Sequence, residues 1–228
     1  MVFNFNAKLI SKENLTSDAL LLSFKSPDEF FFKAGQFVTL ILKAGNAQKP
    51  RSYSILNPPS ERGKLDLGVK LVDGGFASEI FRNLKAGDEI AVKGPFGHFV
   101  FDDKTGNDHW FIGAGTGIAP LYSMIKEHLL HHPAKKFRLI MGYKTASDLL
   151  FHEELLSFKA RYNNFEYIPV LSRSAWNGRK GHAQDHLGED LQNKTFYICG
   201  LKELVLETKE LLLNKGVDPQ NIKFERYN

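Results

Sequence analysis

The spacing of apolar residues changes once along the chain, near residues 102–109, and that change constrains the fold more than any other feature. Before it, "GQFVTLIL" (35–42) and "KLDLGVKLV" (64–72) alternate at period two, so Leu65, Leu67, Val69 and Leu71 share one face of a strand. "DEIAVKG" (88–94) and "HFVF" (98–101) read as further short strands, and "SEIFRNL" (78–84) as a single helical interruption. Clusters such as "KAGNAQKP" and "LNPPSERG" supply the turns. Many short strands with turns between them point to an antiparallel β-barrel or sandwich. After the change, "WFIG" leads into a helix from about Ile118 to His131. "FRLIMG" (137–142) precedes "DLLFHEELLSFKARY", "FEYIPVL" (165–171) follows, and "TFYICG" (195–200) precedes "KELVLETKELLLNKG". "IKFERY" comes last. Alternating strand and helix patterns imply a five-stranded parallel α/β sheet covered by helices. The polar stretch "DDKTGNDH" (102–109) separates the two, giving expected domains at 1–103 and 107–228.

Composition removes several classes. At 43% apolar residues, the chain has enough to build a core in each half. No apolar run approaches the roughly 18 residues that span a bilayer, and "MVFNFNAKLISKEN" lacks the pattern of a secretory leader. A cytoplasmic, soluble protein is the expectation. The single cysteine, Cys199, excludes a disulfide framework, a thiolate-held iron–sulfur cluster and a cysteine zinc site within one chain. The net charge of +4 is spread evenly over both halves, which argues against a nucleic-acid stripe but suits steering of an acidic protein partner. His128, His131 and His132 sit before Pro133, where helix capping accounts for them, and "HAQDH" (182–186) lacks the glutamate of a zinc-protease helix. No metal is expected.

"GAGTGIAP" (113–120) lies between the first strand and first helix of the α/β half. The opening N–H groups of a helix lack partners there and the helix dipole favours an anion. Gly113, Gly115 and Gly117 let the backbone approach a pyrophosphate, and Pro120 suits a first helical turn. In dinucleotide folds an acid at the end of the second strand binds a ribose 2′-hydroxyl, whereas cations suit a 2′-phosphate. Here the second strand ends at Lys144, and no acid follows until Asp148. "VLSRSAWNGRKG" then adds Ser172, Arg173, Arg179 and Lys180. That set favours NADPH over NADH; a solvated basic loop is the alternative. In "RSYS" (51–54), Arg51 and Tyr53 share a strand face, which suits a flat phosphorylated ligand or simple packing.

Taken together, "RSYS", "GGFAS", "GPFGHF", "GAGTGIAP", "YICGLK" and "FERYN" occur in the order seen in the ferredoxin/flavodoxin–NADP reductase family, and the chain resembles that family nearly end to end. The resemblance implies an FAD-binding barrel followed by an NADP-binding α/β domain. It implies that Arg51, with Ser52 beside it, contacts the FAD pyrophosphate, that Tyr53 lies against the isoalloxazine and that the Ser54 hydroxyl approaches flavin N5. Gly75, Phe76, Ala77 and Ser78 match the amide stretch that also holds the pyrophosphate, and Val69 and Lys70 match the backbone lining the flavin. Gly115, Thr116 and Gly117 match the dinucleotide turn, with Thr116 near the nicotinamide. Cys199 and Gly200 border that ring. Glu225 and Tyr227 match a terminal Glu-x-Tyr whose aromatic covers the flavin. Ser54, Cys199, Glu225 and Tyr227 form the implied catalytic set. Asn228 follows Tyr227, where plant-type members end on the aromatic. The implied activity is hydride transfer between NADPH and FAD, with single electrons passed to or from ferredoxin or flavodoxin. The alternatives are a reductase of free flavin and the reductase component of an oxygenase or other electron-transfer complex.

Overall fold

The computed structural model describes residues 1–227; Asn228, with its departure from the plant-type ending, lies outside them. The chain divides into two units, one of Met1–Phe101 with Tyr122–Glu127, the other of Asp102–Leu121 with the chain from His128 onward. The first unit holds strands β1 (Phe3–Thr16), β2 (Ala19–Lys25), β3 (Phe37–Ala44), β4 (Ala47–Ser54), β5 (Lys64–Lys70) and β6 (Glu89–Phe96), and helix α1 (Phe76–Asn83). The strands are antiparallel in the order β4-β3-β6-β1-β2-β5. The sheet curls until its two edges meet at one bridge, Ile55–Leu67. Alternation fills the interior: Leu65, Leu67 and Val69 pack with Leu20, Leu22, Phe24, Val38, Leu40 and Leu42, and Phe81 of α1 joins the same core. Phe81 is fully buried, and truncating such a ring to Ala costs about 3–5 kcal/mol.

Several expectations change here. β1 and β2 are long strands that the spacing alone did not mark. Phe3, Phe5, Ala7 and Leu9 alternate, but the β1–β2 register shifts between Leu9 and Ser11, and that irregularity breaks the period. Most of "KAGNAQKP" is strand. Its turn contracts to Gly45 and Asn46, with Ala44 facing Ala47, and Gly45 takes φ 55°. Pro50 is tolerated because β4 is an edge strand. "HFVF" forms no strand: Phe99 is buried, and its carbonyl passes so close to Gly35 that no side chain fits between them. The apolar residues there serve packing and not pairing.

In the second unit the parallel strands are β7 (Asp108–Ala114), β8 (Phe137–Tyr143), β9 (Phe165–Leu171), β10 (Arg179–Lys180), β11 (Lys194–Leu201) and β12 (Ile222–Tyr227). The helices are α2 (Ile118–His128), α3 (His152–Arg161) and α4 (Lys202–Asn214). The order is β10-β9-β8-β7-β11-β12, five long strands plus a two-residue edge pairing beside Val170 and Leu171. β11 is buried from Lys194 to Gly200, as a central parallel strand covered on both faces should be. α2 ends at His128, short of the expected His131, where the chain turns through a bond from His131 N–H to His128 O. Its stretch Tyr122–Glu127 belongs with the first unit: Ser123 Oγ donates to Asn57 O at 2.8 Å, and Glu127 accepts from Ser60 N and Oγ. From β7 the chain steps outward to β8, β9 and β10, then returns to β11 on the other side of β7. The carboxyl ends of β7 and β11 therefore flank the point where strand order reverses, the place where α/β sheets bind ligands.

Candidate functional site

The three glycines of the turn after β7 do different jobs. A Cβ at Gly113 would meet Leu121 Cδ1 and Met141 Sδ at 2.9 Å, and one at Gly117 would meet Cys199 O at 2.4 Å. Both are bare so that the turn can lie on β11 and its neighbours. Gly115 has φ +52° and nothing within 4 Å of a Cβ, so its backbone is open. The turn Gly115–Gly117 runs into α2 without a side-chain cap, and the first turn of α2 carries no acid. By contrast α3 opens with Glu153 and Glu154, and α4 with Glu203. The start of α2 is thus the one among these three whose dipole is left for an external anion.

At the same sheet edge, Cys199 is level with Gly113 on one side and Glu225 on the other, and Tyr227 is level with Leu201. The Tyr227 side chain hydrogen-bonds the Cys199 thiol. Burial, reinforced by the Glu225 charge, pushes that thiol well above its ordinary pKa, so Cys199 is a neutral, non-nucleophilic group. Gly115, Thr116, Gly117, Cys199, Gly200, Glu225 and Tyr227 are therefore gathered at the reversal point.

Lys144 follows β8, Ser172 and Arg173 follow β9, and Arg179 opens β10, so all four stand at the ends of neighbouring strands. Arg173 N–H donates to Lys144 O at 2.8 Å, and Ser172 N–H to Tyr143 O at 3.0 Å, which ties the two loops together. All four are exposed, and among the described residues no carboxylate pairs with Lys144, Arg173 or Arg179. Asp148, the first acid after β8, accepts from both the N–H and the Oγ1 of Thr145 at 2.8 Å, which fixes it as a local cap. The spacing Thr-x-x-Asp was the legible signal for that cap. On the same loop, Ser174 Oγ is buried without a hydrogen-bond partner among the described residues. Unpaired cations and an orphaned hydroxyl fit a phosphate monoester.

In the first unit, Arg51, Ser52, Tyr53 and Ser54 end β4, opposite Leu40, Thr39, Val38 and Phe37. Arg51 is exposed and donates to Pro50 O; Ser52 Oγ lies 3.1 Å from Thr39 Oγ1; Ser54 is buried. Tyr53 packs edge-on against Phe81 of α1 with centroids 5.5 Å apart. Burial pushes its phenol up to about 12, so it stays protonated. Lys49 lies over the Phe76 ring at 4.9 Å, a second tie between β4 and the start of α1. That helix begins at Gly75 with no side-chain cap; Ser78 Oγ instead accepts from Val72 N–H at 2.8 Å, shaping the turn before it. A Cβ on Gly75 would come 3.0 Å from Val72 O. Val69 is a core side chain and Lys70 pairs with Asp18 at 2.7 Å, so at these two positions only the main chain is offered to a ligand. Among the described residues, β4 and β5 are joined by no strand pairing beyond the Ile55–Leu67 bridge and its neighbouring bond from Leu56 N–H to Asp66 O at 2.9 Å. The start of α1 thus lacks a side-chain cap, with Glu79 in its first turn and Lys49 of β4 at Phe76, and an uncapped helix start near a cation fits a pyrophosphate. Among the described residues no group of three or more His, Cys, Asp or Glu gathers as metal ligands, and no helix is long and apolar enough to cross a membrane.

Comparison with known proteins agrees with both halves. Residues 6–101 match the oxidoreductase FAD-binding domain and residues 111–210 the oxidoreductase NAD-binding domain. The chain is 31% identical to ferredoxin–NADP reductase B of Sorangium cellulosum, over 98% of each chain. It is also 31% identical to the reductase component of phenol 2-monooxygenase from a Pseudomonas species, covering 86% of this chain but 58% of that one. Among solved structures, an Amycolatopsis cytochrome P450 reductase superposes with a TM-score of 0.92 at 27% identity, over 99% of this chain and 70% of that one. A ferredoxin NADP+ reductase from Neisseria gonorrhoeae with bound FAD and NADP shares the fold, with a TM-score of 0.86 at 22% identity over 98% of both. With an FAD-binding curled sheet followed by an NAD(P)-binding parallel sheet, and these relatives, the chain belongs to the ferredoxin–NADP reductase family of oxidoreductases.

Proposed function

We propose that this chain is an FAD-containing, NADPH-dependent reductase that exchanges single electrons with a small acidic carrier, ferredoxin or flavodoxin. The observation that carries the reading is the alignment with a ferredoxin–NADP reductase over 98% of both chains. The set Lys144, Ser172, Arg173 and Arg179, with Asp148 engaged by Thr145, supports NADPH as the donor. When bound, FAD accepts a hydride from reduced nicotinamide and releases its electrons singly.

The protein's work is positioning. Arg51 and the amides at Gly75, Phe76, Ala77 and Ser78 neutralise the flavin's pyrophosphate, with Ser52 holding the strand edge to Thr39. Tyr53 supplies a flat, protonated ring backed by Phe81, and Val69 and Lys70 supply main chain. Ser54 Oγ holds a hydrogen bond toward flavin N5. Gly115, Thr116 and Gly117 receive the dinucleotide phosphates. Cys199 and Gly200 form the floor under the nicotinamide, where a neutral thiol packs against the ring without attacking it. Tyr227 covers that floor, and Glu225 places a carboxylate beside it. A single buried cysteine fits a reducing compartment such as the cytoplasm.

The test is absorbance of the purified protein during NADPH titration, with ferredoxin, flavodoxin or ferricyanide as acceptor. A yellow protein that bleaches with NADPH and reduces ferredoxin or flavodoxin supports the reading. A colourless protein that turns over only with added flavin is a flavin reductase. The likeness to the phenol 2-monooxygenase reductase component favours, as second reading, an oxygenase reductase; a bleached protein that reduces neither carrier points there.

A further inference from the structure

The ammonium of Lys12, on β1, donates to three main-chain carbonyls at the far end of α1: Arg82 O and Leu84 O at 2.7 Å, and Phe81 O at 3.3 Å. Phe81 and Arg82 lie in the last turn of that helix and Leu84 is its C-cap. The closing carbonyls of a helix have no partner within it and carry the negative end of its dipole. Arg82, the helix's own cation in that turn, pairs with Asp73 at 3.1 Å. The charge that meets the carbonyls comes instead from a strand about 70 residues earlier in the chain. β1 pairs with β6 only as far as Lys8; beyond that, Lys12 stands opposite Leu22 of β2 while its side chain engages α1. Ordering so long a side chain costs rotamer freedom, which a lysine serving only as a solvated charge would keep.

α1 has eight residues, too few to hold a helix in water unaided. Its place is set by its anchors: Phe81 buried in the core and edge-on to Tyr53, Ser78 Oγ bonded to Val72 N–H near its start, and Lys12 at its end. We propose that Lys12 is a positioning residue for the flavin's pyrophosphate: by binding the closing carbonyls of α1, it fixes the opening amides at Phe76, Ala77 and Ser78 where the phosphates are received. The inference rests on the FAD reading above and adds a residue at the opposite end of the helix from the anion. A cation at the end and an anion at the start stabilise the same dipole, so the two act together along a helix roughly 12 Å long.

The experiment titrates the full chain, stripped of flavin, with FAD and with riboflavin, which carries no phosphate. Flavin fluorescence and calorimetry give the affinities, and urea unfolding of the flavin-free protein gives the structural cost. Lys12 is exposed, so Lys12→Met is accommodated without repacking the core. That variant is expected to weaken FAD about tenfold and leave riboflavin within about twofold. Lys12→Arg, which can still donate to the carbonyls, is expected to retain most of the FAD affinity. Wild-type FAD affinity in Lys12→Met, an equal loss for FAD and riboflavin, or an Arg variant as weak as the Met variant overturns the positioning role, the second by showing a mere brace of the unit. Wild-type protein that binds FAD no more tightly than riboflavin instead overturns the pyrophosphate reading at α1.

Discussion

Gly117→Ala tests the packing of the dinucleotide turn directly. A methyl there would sit 2.4 Å from Cys199 O, 2.8 Å from Cys199 C and 3.0 Å from Gly200 Cα. All three are main-chain atoms of a buried strand, so no rotamer change relieves the clash, and the turn must lift by roughly 1 Å to reach ordinary contact. Overpacking of this kind costs about 1–3 kcal/mol. Replacing glycine at a helix start returns up to about 1 kcal/mol through helix propensity and the unfolded chain. The net expectation is a loss of about 1–2 kcal/mol, or a melting point lower by about 2–8 °C for a chain of this size. Lifting the turn also moves the Thr116–Gly117 peptide away from the ligand, so KM for NADPH is expected to rise about tenfold or more. Gly115→Ala is the control: its methyl meets nothing within 4 Å, and its φ of +52° costs about 1–2 kcal/mol. That methyl enters the space left for the anion, so stability falls by a similar amount while 2′,5′-ADP no longer raises the melting point. Thermal unfolding with and without 2′,5′-ADP, together with NADPH kinetics, reads both. If Gly117→Ala melts at or above wild type with KM unchanged, the turn does not rest on β11 and the steric account of this glycine is wrong.

Three further outcomes are expected. Arg173→Ala should lower kcat/KM for NADPH by about 10- to 100-fold and leave that for NADH within about twofold, since only a phosphate uses the guanidinium; wild-type enzyme preferring NADH would contradict it. Ser54→Ala should slow single-turnover flavin reduction by about tenfold while FAD stays bound, and an unchanged rate would remove Ser54 from that role. Burial, with help from His132 and Lys135, holds His109 down at about 4, against 6.5 for the free side chain. The unfolded chain therefore takes up the proton first: the stability is present above pH 6.5 and is lost as pH falls from 6.5 toward 4, by at most about 3 kcal/mol. Urea midpoints at pH 7.5 and 4.5 should converge in His109→Phe relative to wild type.

The parts legible in the sequence were those carried by local chemistry. Period-two alternation at Leu65, Leu67 and Val69 marked β5, and glycines between a strand and a helix marked the turn from β7 into α2, because each signal is confined to a few neighbouring residues. β1 and β2 escaped because a bulge between Leu9 and Ser11 interrupts the period, and β10 because two residues carry no period at all. In the motif itself, sequence could not separate Gly117 from Gly115. The difference between them is a carbonyl 82 residues away, at Cys199.

The same limit applies to the loops after β8 and β9. Asp148 read as a distant acid; only its bonds to Thr145 show that the carboxylate serves the local turn. The informative feature is what that side chain is already bonded to. The helix starts at Gly75 and at Gly115–Gly117 lack a side-chain cap, as those of α3 and α4 also do, and on the reading proposed above a cap at either of the first two would stand where a phosphate is to bind. A side chain introduced to cap either start, such as Gly75→Asp, would therefore compete with the ligand whatever it did for the helix, because donor N–H groups satisfied from within have nothing left to offer an anion.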